Sequence, residues 1–202
     1  MKYQFPLITR LDDVLPAIEG CKEIIVADRG DHTIVNYVVV GPDTFPPVRT
    51  VNDAIRRECR GLIFSKDGSI IRRPLHKWFN INEREETLAH NIAWDDPFVV
   101  MEKLDGSSIS SFVLNGELQF GTRMGVTDVA LQVVPYVEQR PKLTQFCLEM
   151  SVRSYTPIFE WTSPQQRIVL DYHEDKMTLL AIRHIHTGLY ASLQSIQDNL
   201  SL

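Results

Sequence analysis

The run Lys103-Leu104-Asp105-Gly106-Ser107 joins a lysine to a tight Asp-Gly turn, an arrangement that places the amine at a strand end within reach of a ligand. A lysine is a covalent nucleophile only when neutral, and its reference pKa of about 10.4 leaves roughly one amine in a few thousand neutral at pH 7. A site that uses Lys103 must desolvate it or surround it with positive charge. Taken by itself, the motif favours the alternative, a surface hairpin turn with a solvated lysine.

Positive charge is concentrated in one part of an otherwise acidic chain. The net charge of −5 argues against a broad nucleic-acid groove, because phosphate backbones favour a positive surface. The runs RRECR (56–60) and RRPLHK (72–77), with Lys66 between them, put seven Lys/Arg residues into 22 positions. Such local clusters suit a phosphate-handling pocket, whereas two solvated basic patches are the simpler alternative.

Alternating and β-branched runs predict the sheet that must position these residues. We predict strands at 34–40, 61–64, 69–73, 98–104, 108–114, 117–123, 157–161, 167–172 and 177–184. Asn115-Gly116, between two alternating runs, indicates a hairpin. Apolar spacing predicts helices at 51–58, 126–138, 142–153 and about 192–200, with Thr127 as an N-cap. The pattern is α+β, an antiparallel sheet core with helices inserted midway.

Composition is that of an ordinary globular protein, with 44% apolar and 23% charged residues. The sequence contains no run of eighteen apolar residues, which is the length that a membrane span needs. The N-terminus lacks the apolar stretch of a signal peptide. The cysteines Cys21, Cys59 and Cys147 form no CxxC pair. This argues against a disulfide framework or a zinc site and favours a reducing cytoplasm.

Six blocks follow one another along the chain: ECRGLIF (58–64), RPLHKWFNINE (73–83), MEKLDGSS (101–108), FGTRMG (120–125), FEWTSPQQRIVLDY (159–172) and LLAIR (179–183). Together they resemble the covalent nucleotidyltransferase superfamily of ligases and capping enzymes. The chain is most similar to the RNA ligase 1 group of tailed bacteriophages, which repair cleaved tRNA. The resemblance covers about residues 34–190 and implies the antiparallel, ATP-grasp-like core of DNA and RNA ligases. We expect a nucleotidyltransferase domain over 1–202, on which residues 1–33 pack as an N-terminal extension.

The resemblance also implies an activity. Lys103 would take AMP from ATP as a lysyl phosphoramidate, with Mg²⁺ or Mn²⁺ as the metal ion, and RNA ends, tRNA among them, would be joined 5′-phosphate to 3′-hydroxyl. Nucleotide-binding roles are implied for Arg60, Lys77, Glu102, Asp105, Gly106, Arg123 and Glu160. Arg123 stands where the family usually has lysine, and Glu160 is expected near the ribose or a metal-bound water. The roles of Phe79, Arg167 and Arg183 stay open between packing and ligand contact.

Two further expectations concern packing around the site. Residues needed for one phosphate chain must lie within a few ångströms of it. We therefore expect one pocket to bring together Lys103, Asp105, Gly106, Arg60, Lys77, Arg123 and Glu160. Trp78 and Phe79 are expected to pack in the core, and the strand at 177–184 is expected to present an unpaired edge.

The chain departs from the superfamily pattern downstream. It has seven lysines and no K-x-K, and its one E-G pair, Glu19-Gly20, lies out of order near the N-terminus. We therefore expect a C-terminally truncated domain: a fragment, a natural truncation, or half of a split ligase that a second polypeptide completes. Three functional hypotheses follow: an ATP-dependent RNA ligase, a degenerate module that binds nucleotides or RNA ends, and a GTP-using capping enzyme, which fits the surrounding blocks less well.

Overall fold

Two four-stranded antiparallel sheets dominate the computed structural model, which describes residues 4–41 and 43–192. The first sheet has the order β1 (Ile24–Asp28), β2 (His32–Tyr37), β3 (Arg60–Ser65) and β4 (Ile70–Arg72). The second is built from β5 (Ser107–Leu114), β6 (Glu117–Gly121), β7 (Tyr155–Thr162) and β8 (Lys176–His184) in the spatial order β6-β5-β7-β8. The α-helices are α1 (Leu15–Ile18), α2 (Val51–Glu58), α3 (Asp128–Glu138) and α4 (Pro141–Val152). The predicted α+β class with an antiparallel core is confirmed.

Local signals determine several of these elements. Thr50 and Asp53 form a capping box at the start of α2, since the Thr50 hydroxyl accepts the Asp53 N–H and the Asp53 carboxylate accepts the Thr50 N–H. Thr127 caps α3 as predicted. Asn115 and Gly116 both have positive φ, 52° and 84°, which is the backbone of a tight β-hairpin turn.

In the described residues, three apolar clusters form the core. One joins α1 and α2 to the first sheet, and another joins α3 and α4 to the second. A smaller cluster lies between the sheets and contains Ile34, Ile63, Phe112 and Leu114. Because successive side chains of a strand point to opposite faces, β3 can direct Ile63 towards the other sheet while its neighbours face the helices.

Buried arginines also connect the two sheets. Arg72, at the end of β4, donates hydrogen bonds to the Ser110 hydroxyl and to the carbonyls of Gly121 and Thr122. The Glu58 carboxylate, fully buried at the end of α2, accepts hydrogen bonds from Arg73 and from Arg183 of β8. The first sheet and its helices are thereby fixed against the second.

The structure corrects several predicted strands. Residues 98–104 and 167–172 belong to no strand, and the predicted strand at 34–40 ends at Tyr37. The apolar side chains of 98–101 are exposed, and the N–H groups of 169 and 170 donate to a carboxylate instead of a sheet. The predicted strand at 117–123 ends at Gly121, because Thr122 and Gly125 close a turn. The predicted C-terminal helix lies outside the described residues, apart from position 192.

Residues 1–33 contain a strand that the sequence reasoning did not predict. β1 pairs with β2 along its whole length, so this part of the chain contributes an edge strand of the first sheet. Ile8, Val14 and Ile18 are buried in the same apolar cluster as α2. Across the described ranges, no helix combines the length and apolarity needed to cross a membrane.

Candidate active site

The lysine-bearing turn lies immediately before β5 and is braced by the segment 167–172. The Asp105 carboxylate accepts hydrogen bonds from the N–H groups of Val169 (2.6 Å) and Leu170 (2.7 Å), and the Asp105 N–H donates to the Tyr172 hydroxyl at 3.0 Å. The two N–H groups, with a smaller contribution from the Lys103 charge, lower the pKa of Asp105. The Lys103 side chain itself is exposed.

Gly106 allows this turn to press against β7. A Cβ atom on Gly106 would lie only 2.1 Å from the Trp161 carbonyl oxygen, so no other residue fits here without moving the backbone. Because of this close approach, the Gly106 N–H donates a hydrogen bond to the Glu160 carboxylate at 3.1 Å. The β5–β7 register, which pairs Ser108 with Glu160, thus fixes this carboxylate beside the lysine turn.

Glu160 lies beside the lysine turn and is influenced by the charges of Lys103 and Arg60. Burial raises the pKa of its carboxyl, whereas the Gly106 N–H and the positive charges of Lys103 and Arg60 oppose that rise. The nearby Asp105 charge raises the pKa further. Since Arg60 begins β3 and Glu160 lies in β7, the site is formed where the two sheets meet.

Arg60 is held by an aromatic ring and keeps its hydrogen-bond donors available. Its guanidinium lies 4.5 Å from the centroid of the Trp78 ring. Within residues 4–41 and 43–192 the guanidinium donates no hydrogen bond, so its N–H groups can contact an anion. Trp78 is 49% exposed, which shows that its expected place in the core is wrong.

Lys77 and Phe79 belong to a neighbouring basic surface. The Lys77 amine donates to the Trp78 carbonyl at 2.9 Å and lies 4.4 Å from the centroid of the half-buried Phe79 ring. Arg57 and Arg84 approach the same ring at 4.6 and 4.7 Å. Phe79 therefore packs against three cations. Lys77, one of them, contacts Trp78, whose ring in turn packs against Arg60.

Arg123 reaches the site with its backbone, while its side chain turns away. A Cβ on Gly61 would lie 2.8 Å from the Cα and carbonyl oxygen of Arg123, so the 122–125 turn packs against the residue that follows Arg60. The Arg123 guanidinium donates to the Tyr37 carbonyl at 2.7 Å and stacks over the Tyr37 ring. In this structure Arg123 supports the first sheet and does not join the charges around Glu160.

Three further predicted residues lie elsewhere. Glu102 is exposed and, with Leu104 and Asp171 among others, lines a cavity of about 450 Å³ that Lys103 does not line. Arg167 is exposed and pairs with Asp171 at 3.6 Å. Arg183 is fully buried and donates to Glu58 and to the carbonyls of Pro74 and Gly188, which makes it part of the buried network.

Two buried arginines show where the charge pattern of the sequence was misleading. Arg72 and Arg73 were counted among the phosphate-handling cations, but they are 1% and 0% exposed and donate to internal groups. Burial together with the charge of Arg60 lowers the pKa of Arg72 to about 9. Sequence reasoning assigned no role to Glu58, whose carboxylate accepts from Arg73. The one available signal was its carboxylate among three arginines in RRECR.

A sequence profile of the RNA ligase family matches residues 58–199, which is more than half of the chain. The protein belongs to this RNA ligase family. Its sequence is 31% identical over 182 residues to a putative RNA ligase of Thermovibrio ammonificans and 28% identical over 193 residues to RNA ligase 1 of Bacteriophage TS2126. In both comparisons the match covers 89% of this chain and 46% of the relative.

A viral relative shows similar identity over a smaller share of its length. It is a putative bifunctional polynucleotide kinase/RNA ligase of Autographa californica nuclear polyhedrosis virus, 32% identical over 184 residues that cover 79% of this chain and 25% of the relative. The chain thus spans about half the length of the first two relatives and a quarter of the third.

The residues of the site fit a metal–nucleotide complex better than a free metal ion. No group of three or more His, Cys, Asp or Glu side chains suited to a metal ion occurs in the described parts of the chain. One oxygen of the Asp105 carboxylate accepts two N–H groups, and Glu160 is the half-buried carboxylate beside the lysine turn. A magnesium ion typically keeps several waters and binds through substrate phosphates plus one or two carboxylates. Glu160 could meet such an ion through a water molecule.

Proposed function

We propose that this chain is the nucleotidyltransferase core of an ATP-dependent RNA ligase in which Lys103 forms the covalent lysyl-AMP intermediate. The observation that supports it is that the half-buried Glu160 carboxylate accepts the Gly106 N–H of the lysine turn and is influenced by the charges of Lys103 and Arg60. In the first step the Lys103 nitrogen attacks the α-phosphorus of ATP. An N–P bond forms, the bond to pyrophosphate breaks, and the amine loses a proton.

Each residue of the site has a physical task in this step. Asp105 and Gly106 hold the turn that presents the amine, as their contacts with 169–170 and with β7 indicate. Arg60 offers its N–H groups to phosphate oxygens, where charge cancellation is the main source of catalysis in phosphoryl transfer. Glu160 orients a ribose hydroxyl or a metal-bound water. A bound Mg²⁺ or Mn²⁺ would neutralise charge on the triphosphate.

The later steps would join RNA ends. AMP would pass from Lys103 to a 5′-phosphate, and a 3′-hydroxyl would then displace AMP and close the phosphodiester bond. tRNA as the substrate, a second polypeptide as a completing partner, and a reducing cytoplasm as the compartment belong to the same proposal. The three cysteines, which are all free, agree with such a compartment.

One observation favours a second candidate function. Lys103 is exposed, and the cavity of about 450 Å³ beside it is lined by its neighbours Glu102 and Leu104. An open lysine suits a module that binds nucleotides or RNA ends without turnover, because covalent catalysis requires the amine to be activated. This candidate keeps the same binding residues and differs in forming no adduct.

A labelling experiment separates these functions. The protein is incubated with α-labelled ATP or GTP and Mg²⁺ or Mn²⁺, and covalent label is measured on a denaturing gel. We expect labelling from ATP, its loss in Lys103→Arg, and normal labelling in Lys66→Arg, an exposed lysine in the β3–β4 turn. Arginine keeps the charge but stays protonated, so it cannot attack phosphorus. Labelling from GTP alone would indicate a capping enzyme, and no labelling at all would favour the binding module.

A further inference from the structure

Trp78 is a large aromatic side chain placed at the edge of the proposed site and half exposed to solvent. The Arg60 guanidinium lies 4.5 Å from the centroid of its ring, and the positive charge of Arg60 also acts on the Glu160 carboxyl. The indole therefore packs on a cation whose charge influences the proposed reaction centre. Because 49% of it is exposed, part of its surface remains available to a ligand.

Two cations lie next to this ring on the adjacent surface. The Lys77 amine is anchored to the Trp78 carbonyl at 2.9 Å, and Arg84 shares the Phe79 ring with Lys77. Arg57, the third cation at that ring, is neutralised by Glu86 at 2.7 Å. Within the described residues, neither Lys77 nor Arg84 forms an ion pair, so both keep their charge for an outside partner.

An exposed aromatic ring beside unpaired cations is the combination that binds single-stranded nucleic acid, in which bases stack on rings and phosphates contact the cations. We infer that Trp78 stacks a nucleobase of the RNA strand and that Lys77 and Arg84 contact the adjacent phosphates. This inference rests on the proposed function, which makes RNA the substrate. A half-exposed ring suits a strand that arrives from solvent, whereas recognition of the ATP base calls for a more enclosed pocket.

The test measures RNA binding without turnover. A 5′-phosphorylated single-stranded RNA of about ten nucleotides with a blocked 3′ end is titrated into Lys103→Ala protein, and fluorescence anisotropy gives the Kd. We expect Trp78→Leu to weaken binding about tenfold to a hundredfold and Trp78→Phe to weaken it less, since phenylalanine keeps a stacking face. The matched control is Trp94→Leu, since Trp94 is 50% exposed and, among the described residues, carries no cation over its ring.

Salt dependence separates stacking from charge. Trp78→Leu should lower the affinity by a similar factor at every salt concentration, because no phosphate contact is lost. Lys77→Ala should reduce the slope of log Kd against log salt concentration by about one. A merely structural role of Trp78 would loosen Arg60, the cation that packs on its ring, and would reduce the salt slope of Trp78→Leu as the loss of a cation does in Lys77→Ala, which would overturn the inference.

Two further outcomes would also overturn it. RNA binding by Trp78→Leu at the affinity of the parent protein would remove the stacking role. The second outcome compares two effects of Trp78→Leu: the rise in the KM of ATP for labelling of Lys103 in the absence of RNA, and the rise in the Kd of RNA. A larger rise in the KM of ATP would assign the ring to adenine. Failure of the proposed function has a different signature, the absence of Lys103 labelling. RNA binding that still depends on Trp78 in that case would support the inference.

Discussion

At the scale of single residues, the site depends on how closely a turn can approach a strand. Gly106 has an ordinary negative φ, so what its position requires is the missing side chain and not a special backbone conformation. The close approach brings the Gly106 N–H to Glu160 and sets the distance between that carboxylate and the lysine turn. A change at Gly106 should therefore affect the chemistry more than the fold of the hairpin.

We expect Gly106→Ala to abolish Lys103 labelling and to lower the free energy of unfolding by roughly 2–3 kcal/mol, because its Cβ would overlap the Trp161 carbonyl. The control is Gly116→Ala, where a Cβ meets nothing within 4 Å but φ is +84°. This change should cost about 1 kcal/mol from backbone strain alone and should leave labelling intact. Urea denaturation and the gel assay measure both effects. Normal labelling by Gly106→Ala would contradict the assigned geometry.

The sequence identified residues of the site better than it identified their surroundings. The lysine turn and Glu160 could be recognised because both lie in short blocks with a characteristic order. The burial of Arg183 could not, since its partner Glu58 lies 125 positions away in the chain. Its residue type predicts Trp78 in the core, although Trp78 is half exposed outside any strand, with the Arg60 guanidinium of β3 over its ring.

At the scale of elements, the segment that follows β4 carries Lys77 and Trp78 and is fixed by His76. The His76 ring hydrogen-bonds with the Tyr190 hydroxyl at 2.9 Å and packs edge-on to Phe5. Burial lowers its pKa to about 4 from an ordinary value of 6.5; the Glu58 charge opposes this shift, and the charges of nearby arginines add to it. His76 is therefore neutral in the folded protein at neutral pH.

This shift predicts acid sensitivity. As the pH falls from 6.5 to 4, the unfolded state gains a proton at His76 before the folded state does, so stability is present above pH 6.5 and is lost through this window. The loss is up to about 3 kcal/mol. His76→Phe should remove this part of the pH dependence, whereas His173→Gln, at an exposed position, should retain it. Urea denaturation at several pH values checks this, and equal pH dependence of His76→Phe and wild type would contradict it.

Elements were predictable where the signal is local. The capping box of α2, the Thr127 cap and the Asn-Gly hairpin turn are each formed by residues only a few positions apart in the sequence. The segments 98–104 and 167–172 have strand-like composition but not strand-like pairing. In the second of them, two N–H groups donate to the Asp105 carboxylate, about 65 positions away in the chain. No local sequence pattern reveals this contact.

At the scale of the whole molecule, the site requires the two sheets to keep their relative position, because Arg60 and Glu160 belong to different sheets. The Glu58 carboxylate holds Arg73 and Arg183 from both sides of this junction. Burial raises the pKa of Glu58, but the charges of Arg183 and Arg73 outweigh it and lower the pKa below its ordinary value. Glu58 is thus ionised inside the core.

We expect Glu58→Gln to destabilise the fold by roughly 3–5 kcal/mol, since it removes the negative charge between two buried arginines. Glu86→Gln is the matched control, because Glu86 pairs with Arg57 but is 39% exposed, and it should cost no more than about 1 kcal/mol. Chemical denaturation measures both changes. Similar costs for the two variants would show that the buried network does not hold the sheets together.

The central claim is that Lys103 carries AMP, and peptide mapping tests it most directly. The wild-type protein is incubated with ATP and Mg²⁺ or Mn²⁺ and digested under conditions that preserve a phosphoramidate, and mass spectrometry locates the adduct. We expect one AMP on the Lys103 side chain, in the peptide that contains the Asp105-Gly106 turn, and no adduct in Lys103→Arg. An AMP adduct on another residue, or one that persists in Lys103→Arg, would contradict it.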